Sequence, residues 1–350
     1  MTEELNPRRA ELLRLIVHEY VDSAAPVGSQ TLVKKYNLLL SAATIRNEMA
    51  RLEGDRYISH PHTSAGRVPS DRGYRYFVEW LMGDEELSAE EKARIRHQFH
   101  QVAGEVEGWG ELAAAILSQT AQTLALVTAP RSARSRLKHI ELLELNERTV
   151  LMVVVLQEAR VRQRLLNVPE AISQEALSAL STRINQAYAG LSEAEMMAPA
   201  ESPVEEAAIV AVLREMLRGE DEGHQPETFT DGLENVLAEP EFARSERAVE
   251  VIEAVDDRNL SRVIPFERLV EDSVLVSIGA ENRDESLHDF SVVVSQYGVR
   301  GSLLGAIGIV GPTRMRYPRM ISTVRYMAEV MSDLVAGLQR ETNDSEVQTN

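Results

Sequence analysis

The side chains best suited to chemistry fall in one short segment, from Ser41 to Arg51. At about 100° per residue, a helix here would place Ala43, Asn47 and Ala50 on one side and arginines on the flanks. A small, polar face with hydrogen-bond donors can enter the major groove of DNA and reach the base edges. The alternative is an ordinary amphipathic surface helix, but such helices usually carry Glu and Lys on their outer side.

A second polar segment, residues 57–69, has two short extended pieces around a turn rich in Ser, Gly and Pro. We expect a β-hairpin whose tip contacts phosphate or the minor groove. His60 and His62 would also suit a metal ion, but no cysteine and no carboxylate at ligand spacing accompanies them, so we expect no metal and no cofactor. The predicted DNA contacts are Ser41, Ala43, Thr44, Arg46, Asn47, Arg51, His62, Thr63, Ser64 and Arg67.

Three predicted helices must position these side chains. The first starts at Asn6-Pro7, where Asn can cap the helix and Pro suits its first turn. Ser29 can cap a short second helix and Ser41 a third. The third helix has an i, i+4, i+7 apolar stripe, which we expect to be buried: Ile45, Met49 and Leu52.

The distribution of charge agrees with DNA binding, although the chain as a whole has a net charge of −18. Residues 28–76 contain eight Lys and Arg but four Asp and Glu. Most of the acidity therefore lies outside the segment that could face phosphates. Charge by itself does not distinguish this arrangement from chance clustering on a solvated face.

Composition excludes several classes of protein. A chain of 350 residues, 44% of them hydrophobic, is expected to form two or three domains. The absence of cysteine excludes disulfides, thiolate zinc sites and thiol catalysis. No apolar run reaches the ~18 residues of a membrane-spanning helix, so we expect a cytoplasmic protein with no membrane partner. We expect no enzyme, because no phosphate-loop or nucleophile motif is present; turnover abolished by one buried substitution would overturn this.

Beyond residue 82 the pattern is strands, then helices, then strands, which indicates one sheet domain interrupted by an insertion. Residues 83–110 are predicted to connect the domains. We predict helices at 88–101 and 111–126, strands at 139–145, 150–156 and 161–168, helices at 173–190, 205–218 and 243–257, strands at 274–280, 290–297 and 303–310, and a closing helix at 319–340.

Five strings of residues are informative together: Pro26-Val27-Gly28-Ser29, Ala43-Thr44-Ile45-Arg46-Asn47, Pro61-His62-Thr63-Ser64-Ala65-Gly66-Arg67, Gly73-Tyr74-Arg75-Tyr76 and Gly311-Pro312-Thr313-Arg314-Met315. They resemble the HrcA family of heat-inducible transcription repressors. The resemblance covers nearly the whole chain in length and order, is dense at 26–80 and 308–327, and is weak between about 170 and 265.

The resemblance implies an α+β multidomain fold with a winged helix-turn-helix, a GAF-like α/β sheet domain and an inserted, mostly helical dimerisation domain. The expected bounds are 1–82 for the winged helix, 83–110 for a linker helix, 111–169 and 266–340 for the discontinuous GAF-like domain, and 170–265 for the insertion. The polar residues 341–350 are expected to form a disordered tail.

The resemblance also implies a function. The protein would be a homodimer that binds double-stranded DNA at an inverted-repeat operator and represses chaperonin and chaperone operons. The GroE chaperonin would modulate its activity. A GAF-domain regulator that responds to a small molecule remains the alternative, and a ligand that changes operator affinity would favour it.

Two positions depart from the family pattern. The family usually has Gly just before the aromatic residue that opens the wing, whereas this chain has Arg56. Gly adopts a positive φ freely and Arg does so at a cost, so we expect a local difference at the end of the third helix. In the C-terminal signature, Pro318 stands where the family tends to have Ser, and we expect it to start the last helix sharply.

Overall fold

The chain divides into two compact units. The larger comprises residues 1–130, 226–299 and 304–350, and the smaller comprises 131–225 and 300–303. The computed structural model describes residues 5–60, 66–100, 108–132, 135–157, 161–196, 203–223, 227–242, 252, 264, 268–270, 273–299 and 303–347.

The N-terminal part of the larger unit is a three-helix group followed by a hairpin, in the order that we expected. Its elements are α1 (Pro7–Ser23), α2 (Ser29–Lys35), α3 (Ala42–Gly54), β1 (Ile58–Ser59), β2 (Val68–Pro69) and α4 (Asp71–Tyr76), which continues as a π-helical turn, Phe77–Leu81. Asn6 caps α1 by accepting a hydrogen bond from the Arg9 backbone N–H at 3.0 Å. The helices pack around a fully buried core that includes Leu13, Ile16, Leu32, Ile45 and Leu52.

Two further helices lead into the sheet of the larger unit: α5 (Ala89–His100) and α6 (Trp109–Ala121). Our prediction that the second of them runs to residue 126 is wrong. Gln122 has a left-handed φ of 54° and ends α6, and the fully buried strand β3 (Leu124–Thr128) follows directly. A short apolar run does not reveal by itself whether it is a helix end or a buried strand.

Besides β3, the sheet of the larger unit contains β8 (Thr228–Asp231), β9 (Val274–Ile278), β10 (Phe290–Gly298) and β11 (Leu303–Pro312), and the short helix α9 (Leu233–Leu237) follows β8. The sheet is antiparallel along its main path, in the order β8-β3-β11-β10-β9. Helix α6 packs on β3. On the second face, Phe242 stacks on Phe290 with ring centroids 4.8 Å apart, beside the buried Ile264. Both faces of the sheet are therefore covered.

The smaller unit contains a three-stranded antiparallel sheet, β5 (Leu137–Asn146), β6 (Thr149–Leu156) and β7 (Val161–Asn167), with helices α7 (Gln174–Tyr188) and α8 (Val204–Gly223) and the short strand β4 (Arg131–Ser132). The predicted strands exist, but we assigned them to the GAF-like domain and expected a mostly helical insertion starting at residue 170. Instead these strands pair only with each other among the described strands, and their inner side chains form one core with α7 and α8.

A single long helix, α10 (Tyr317–Val347), closes the chain. It starts beside Pro318, as expected, and packs against β10 and α6. The helix includes residues 341–347, which we predicted as part of the polar tail. Apart from Ile252, the helix predicted at 243–257 lies outside the described residues. Among the helices described, none is both long and apolar enough to cross a membrane.

Candidate nucleic-acid interface

The start of α3 is fixed by a side-chain cap. The Ser41 hydroxyl accepts a hydrogen bond from the Thr44 backbone N–H at 3.1 Å and lies 2.9 Å from the Thr44 hydroxyl. The cap satisfies an N–H group that would otherwise lack a partner in the first turn. The predicted start of the helix is confirmed, and the two hydroxyls, both among the predicted DNA contacts, serve at least partly to hold it.

The outer face of α3, formed by Ala43, Arg46, Asn47 and Ala50, is turned to solvent. Within the described part of the chain, no hydrogen bond or ion pair engages the side chain of Arg46 or Asn47. The opposite side of the helix is in the core, at 2%, 1% and 0% exposure for Ile45, Met49 and Leu52. The helical wheel therefore places these residues correctly, and two polar side chains stand free between two small ones.

Arg51 stands at the edge of this face. Its Nη1 lies 3.4 Å from Glu48 Oε1, one turn earlier on the same helix, yet the Arg51 side chain is 63% exposed. Glu48 is buried, and its other oxygen lies 3.7 Å from Arg9 Nε on α1. The Arg51 guanidinium is therefore partly neutralised but still open to an anion.

The C-terminal end of α3 is a Schellman motif. The Tyr57 backbone N–H donates to the Leu52 carbonyl at 2.9 Å, and the Arg56 N–H donates to the Glu53 carbonyl at 3.0 Å. This closure requires a left-handed residue, and Arg56 takes that conformation with a φ of 62°. The free-energy cost that we expected for Arg in place of Gly is therefore present, because Arg56 has a left-handed backbone conformation.

The hairpin is joined to the rest of the N-terminal helices at its base. Only two residue pairs link β1 with β2. Next to β2, Arg67 and Val27 exchange two backbone hydrogen bonds of 2.8 and 3.0 Å. Gly66 passes so close that a Cβ there would lie 2.6 Å from the Pro26 backbone. The string Pro26 to Ser29 thus supports the segment that leads into β2.

One acidic side chain connects α3 to both sides of the hairpin, at the residue after β1 and the residue before β2. Glu53 Oε1 lies 2.9 Å from His60 Nδ1, and Glu53 Oε2 accepts from Arg67 Nε at 2.9 Å and lies 2.7 Å from Arg67 Nη2. The hydrogen bond with His60, followed by those with Arg67, lowers the pKa of Glu53. Arg67 is only 17% exposed, so the guanidinium that we predicted to face DNA is held by the protein itself.

The other predicted contacts, His62, Thr63 and Ser64, lie outside the described residues. Within the ranges that the structure describes, no group of three or more His, Asp or Glu side chains could hold a metal ion. The part of the predicted interface that the structure does bring together is therefore the outer face of α3, Arg51 and the base of the hairpin.

Ion pairs fasten the N-terminal helices to the sheet of the larger unit. Arg75 on α4 pairs with Glu281 and donates to the Val276 carbonyl at 2.7 Å. Asp71 on the same helix accepts from the Ala280 backbone N–H at 2.9 Å. These side chains were not among our predicted sites. The partners stand about 200 residues away, so no local pattern could identify them.

A second anchor uses the C-terminal signature. The Arg314 guanidinium pairs with Glu239 and Glu241, and its Nη1 lies 3.5 Å from the Val21 carbonyl near the end of α1. Arg314 is only 12% exposed. A largely buried guanidinium with carboxylate partners is costly to disturb, so this motif serves to hold elements together.

The smaller unit has a different kind of surface. The outer side of its sheet forms what we call the open sheet face: Leu143, Leu151, Val153, Val155, Val161 and Leu165. Leu143, Leu151 and Leu165 are direct cross-strand neighbours. Leu165 is 63% exposed and Val161 50%. Contiguous exposed apolar side chains of this kind are typical of surfaces that another protein covers.

Comparisons with known proteins agree with the resemblance seen in the sequence. The family model described as "HrcA protein C terminal domain" matches residues 110–321. A "Heat-inducible transcription repressor HrcA" of Dehalococcoides mccartyi is 43% identical over 344 residues, covering 95% of this chain and 97% of the relative. One of Roseiflexus castenholzii is 42% identical over 348 residues, covering 97% and 96%.

A solved crystal structure of a hypothetical protein has a similar fold. Its TM-score is 0.58 at 23% identity, and the match covers 95% of this chain and 99% of that one. At this identity the likeness concerns the fold alone. The names of the relatives are those of a transcription repressor, which confirms our prediction of a regulator rather than an enzyme.

Proposed function

Because this chain belongs to the HrcA family of heat-inducible transcription repressors, we propose that it binds an inverted-repeat operator as a homodimer and represses chaperonin and chaperone operons. It would do so in the cytoplasm, with GroE chaperonin modulating its activity as the family resemblance implies. The observation that carries the proposal is the outer face of α3, where Arg46 and Asn47 are exposed and have no protein partner among the described residues.

Residues 1–82 would act as a winged helix, with α3 as the recognition helix and the hairpin as its wing. Asn side chains can bond adenine with two hydrogen bonds and Arg side chains can bond guanine in the same way. Ala43 and Ala50 let the helix approach the base edges closely, and Arg51 can reach a phosphate from the side. The wing tip, with His62 to Ser64, would contact the backbone or minor groove.

The open sheet face supports the homodimer. An inverted-repeat operator needs two copies related by a twofold axis, and such an interface pairs one surface with itself. The face is mostly apolar, with Glu141 and His139 at its β5 edge, so pairing it with a second copy would remove apolar surface from water. We therefore propose that the smaller unit is the dimerisation domain, and that the sheet of the larger unit is the GAF-like domain.

A regulator that senses a small ligand has less support. Side chains such as Phe242, Phe290 and Leu287 fill the space on the second face of the larger sheet, where a ligand of a GAF-like domain would compete with them. A ligand that shifts operator affinity would restore this alternative.

The test measures DNA binding by Arg46→Ala and Asn47→Ala variants. We expect each variant to lose about 1–3 kcal/mol of preference for the promoter fragment of the cell's own chaperonin operon over random duplex. Arg94→Ala is a matched control, because Arg94 is an exposed arginine on α5, far in sequence from α3. Fluorescence anisotropy at fixed salt gives the affinities, and circular dichroism shows that the variants fold. A preference for the promoter fragment that is unchanged from the wild type in both variants would refute the assignment of this face.

A further inference from the structure

Glu53 hydrogen-bonds to His60 and Arg67, and the sequence had suggested that Arg67 contacts DNA. Glu53 stands in the last turn of α3, His60 directly follows β1, and Arg67 directly precedes β2. One carboxylate therefore reaches both sides of the hairpin, with one oxygen for each. We call these three residues the wing brace.

We propose that Glu53 is a positioning residue that sets the wing relative to the recognition helix, and that Arg67 acts through Glu53 rather than by direct contact with phosphate. This inference rests on the proposed function, since it concerns how the two DNA-contacting elements are held together.

The geometry explains why such a brace is needed. The ladder between β1 and β2 has two residue pairs, and a hairpin of this size is not stable by itself. The backbone bridge between Val27 and Arg67 holds only the β2 side of the hairpin. The recognition helix and the wing must contact one duplex at the same time, so a change in their relative position weakens specific binding even when both surfaces are intact.

The charge of Glu53 also indicates that this residue positions the wing and is not an incidental surface acid. A carboxylate beside a DNA-binding face repels phosphates, so an unpaired acid here would reduce affinity for any sequence. The Arg67 guanidinium that binds Glu53 offsets that charge. If Glu53 were removed, Arg67 would be released toward solvent and could then bind phosphate without regard to sequence.

The experiment compares Glu53→Gln with Asp55→Asn in the full-length protein. Both variants remove one acidic charge near the end of α3, but Asp55 pairs with Arg9 on α1, at 3.0 Å, and with no wing residue that the structure describes. We expect E53Q to bind the operator about tenfold more weakly and random duplex as well as the wild type or better. The salt dependence on random duplex should steepen, by up to about 0.9 in log–log slope if Arg67 gains one phosphate. D55N should keep the preference of the wild type.

A double-mutant cycle with Arg67→Gln tests whether Arg67 acts through Glu53. If it does, the operator losses of E53Q and R67Q should not add in the double variant. Glu53→Asp gives a second measurement that keeps the charge but shortens the side chain, so it should also lose operator preference. Additive losses would show that Arg67 contacts DNA independently and would overturn the inference.

Other outcomes separate the brace from the proposed function. If E53Q gains the same affinity for the operator and for random duplex, Glu53 acts only as a charge that repels phosphate. This result would also refute a positioning role. If the wild-type protein shows no preference for the inverted-repeat fragment, the proposed function itself fails. If circular dichroism shows that E53Q does not fold, operator affinity is measured for E53D and R67Q instead. An operator affinity equal to that of the wild type in both of these variants would refute the wing brace.

Discussion

Arg56 offers a sharp test of the backbone at the end of α3. Its φ of 62° is a left-handed value, which costs a non-glycine residue about 1–2 kcal/mol. Glycine takes this conformation without that cost but loses about 0.5–1 kcal/mol in chain entropy on folding. No hydrogen bond or ion pair to another described residue would be lost with the Arg56 side chain. Arg56→Gly should therefore stabilise the folded state by about 0.5–1 kcal/mol.

The assay is thermal and urea unfolding of the full-length protein. For a cooperative unit of this size we expect the melting temperature to rise by about 1–4 °C. Arg56→Ala removes the same side chain but keeps the left-handed strain, so it should stay close to the wild type. Arg51→Gly makes the same replacement inside the helix and should instead destabilise, by about 1 kcal/mol. A gain in R56A equal to that in R56G would refute the argument from φ.

Two further predictions concern other parts of the chain. Leu165→Asp places a charge on the open sheet face and should convert dimer to monomer in size-exclusion chromatography with light scattering, whereas a dimer unchanged by this variant would mean that another surface pairs the copies. Glu91 pairs with Arg319, which lowers the pKa of Glu91 to about 2 from 4.5, so its stabilising effect is present above pH 4.5 and lost as pH falls through about 2. The difference in unfolding free energy between the wild type and Glu91→Gln should thus shrink over that interval in urea melts, and a difference that does not change with pH would contradict the role of the ion pair.

Local signals in the sequence predicted much of the N-terminal part correctly. Asn6 and Ser41 cap helices as expected, because capping depends on atoms within three residues of the cap. The exposed side of α3 follows from helical periodicity alone. The need for an unusual φ at Arg56 was also visible, since it depends on how a helix ends and not on distant contacts.

Local signals did not predict where the smaller unit begins, at residue 131. The strands β5 to β7 were predicted nearly residue for residue, but a strand pattern does not say which sheet the strand joins. Strand β3 was missed because its five buried residues show no alternation, and its neighbours β8 and β11 stand about 100 and 180 residues further along the chain.

The division between sequence and structure is clearest at two arginines. From the residues alone, Arg46 and Arg67 are equivalent: each is a base in a polar segment that suits DNA. The fold leaves Arg46 in solvent and closes Arg67 onto Glu53, fourteen residues earlier in the chain. Amino-acid types and their spacing determined which surfaces could meet a nucleic acid. Only the tertiary contacts decided which of those side chains are free to do so, because an ion pair forms between groups that folding brings within about 3 Å of each other, whatever their separation in sequence.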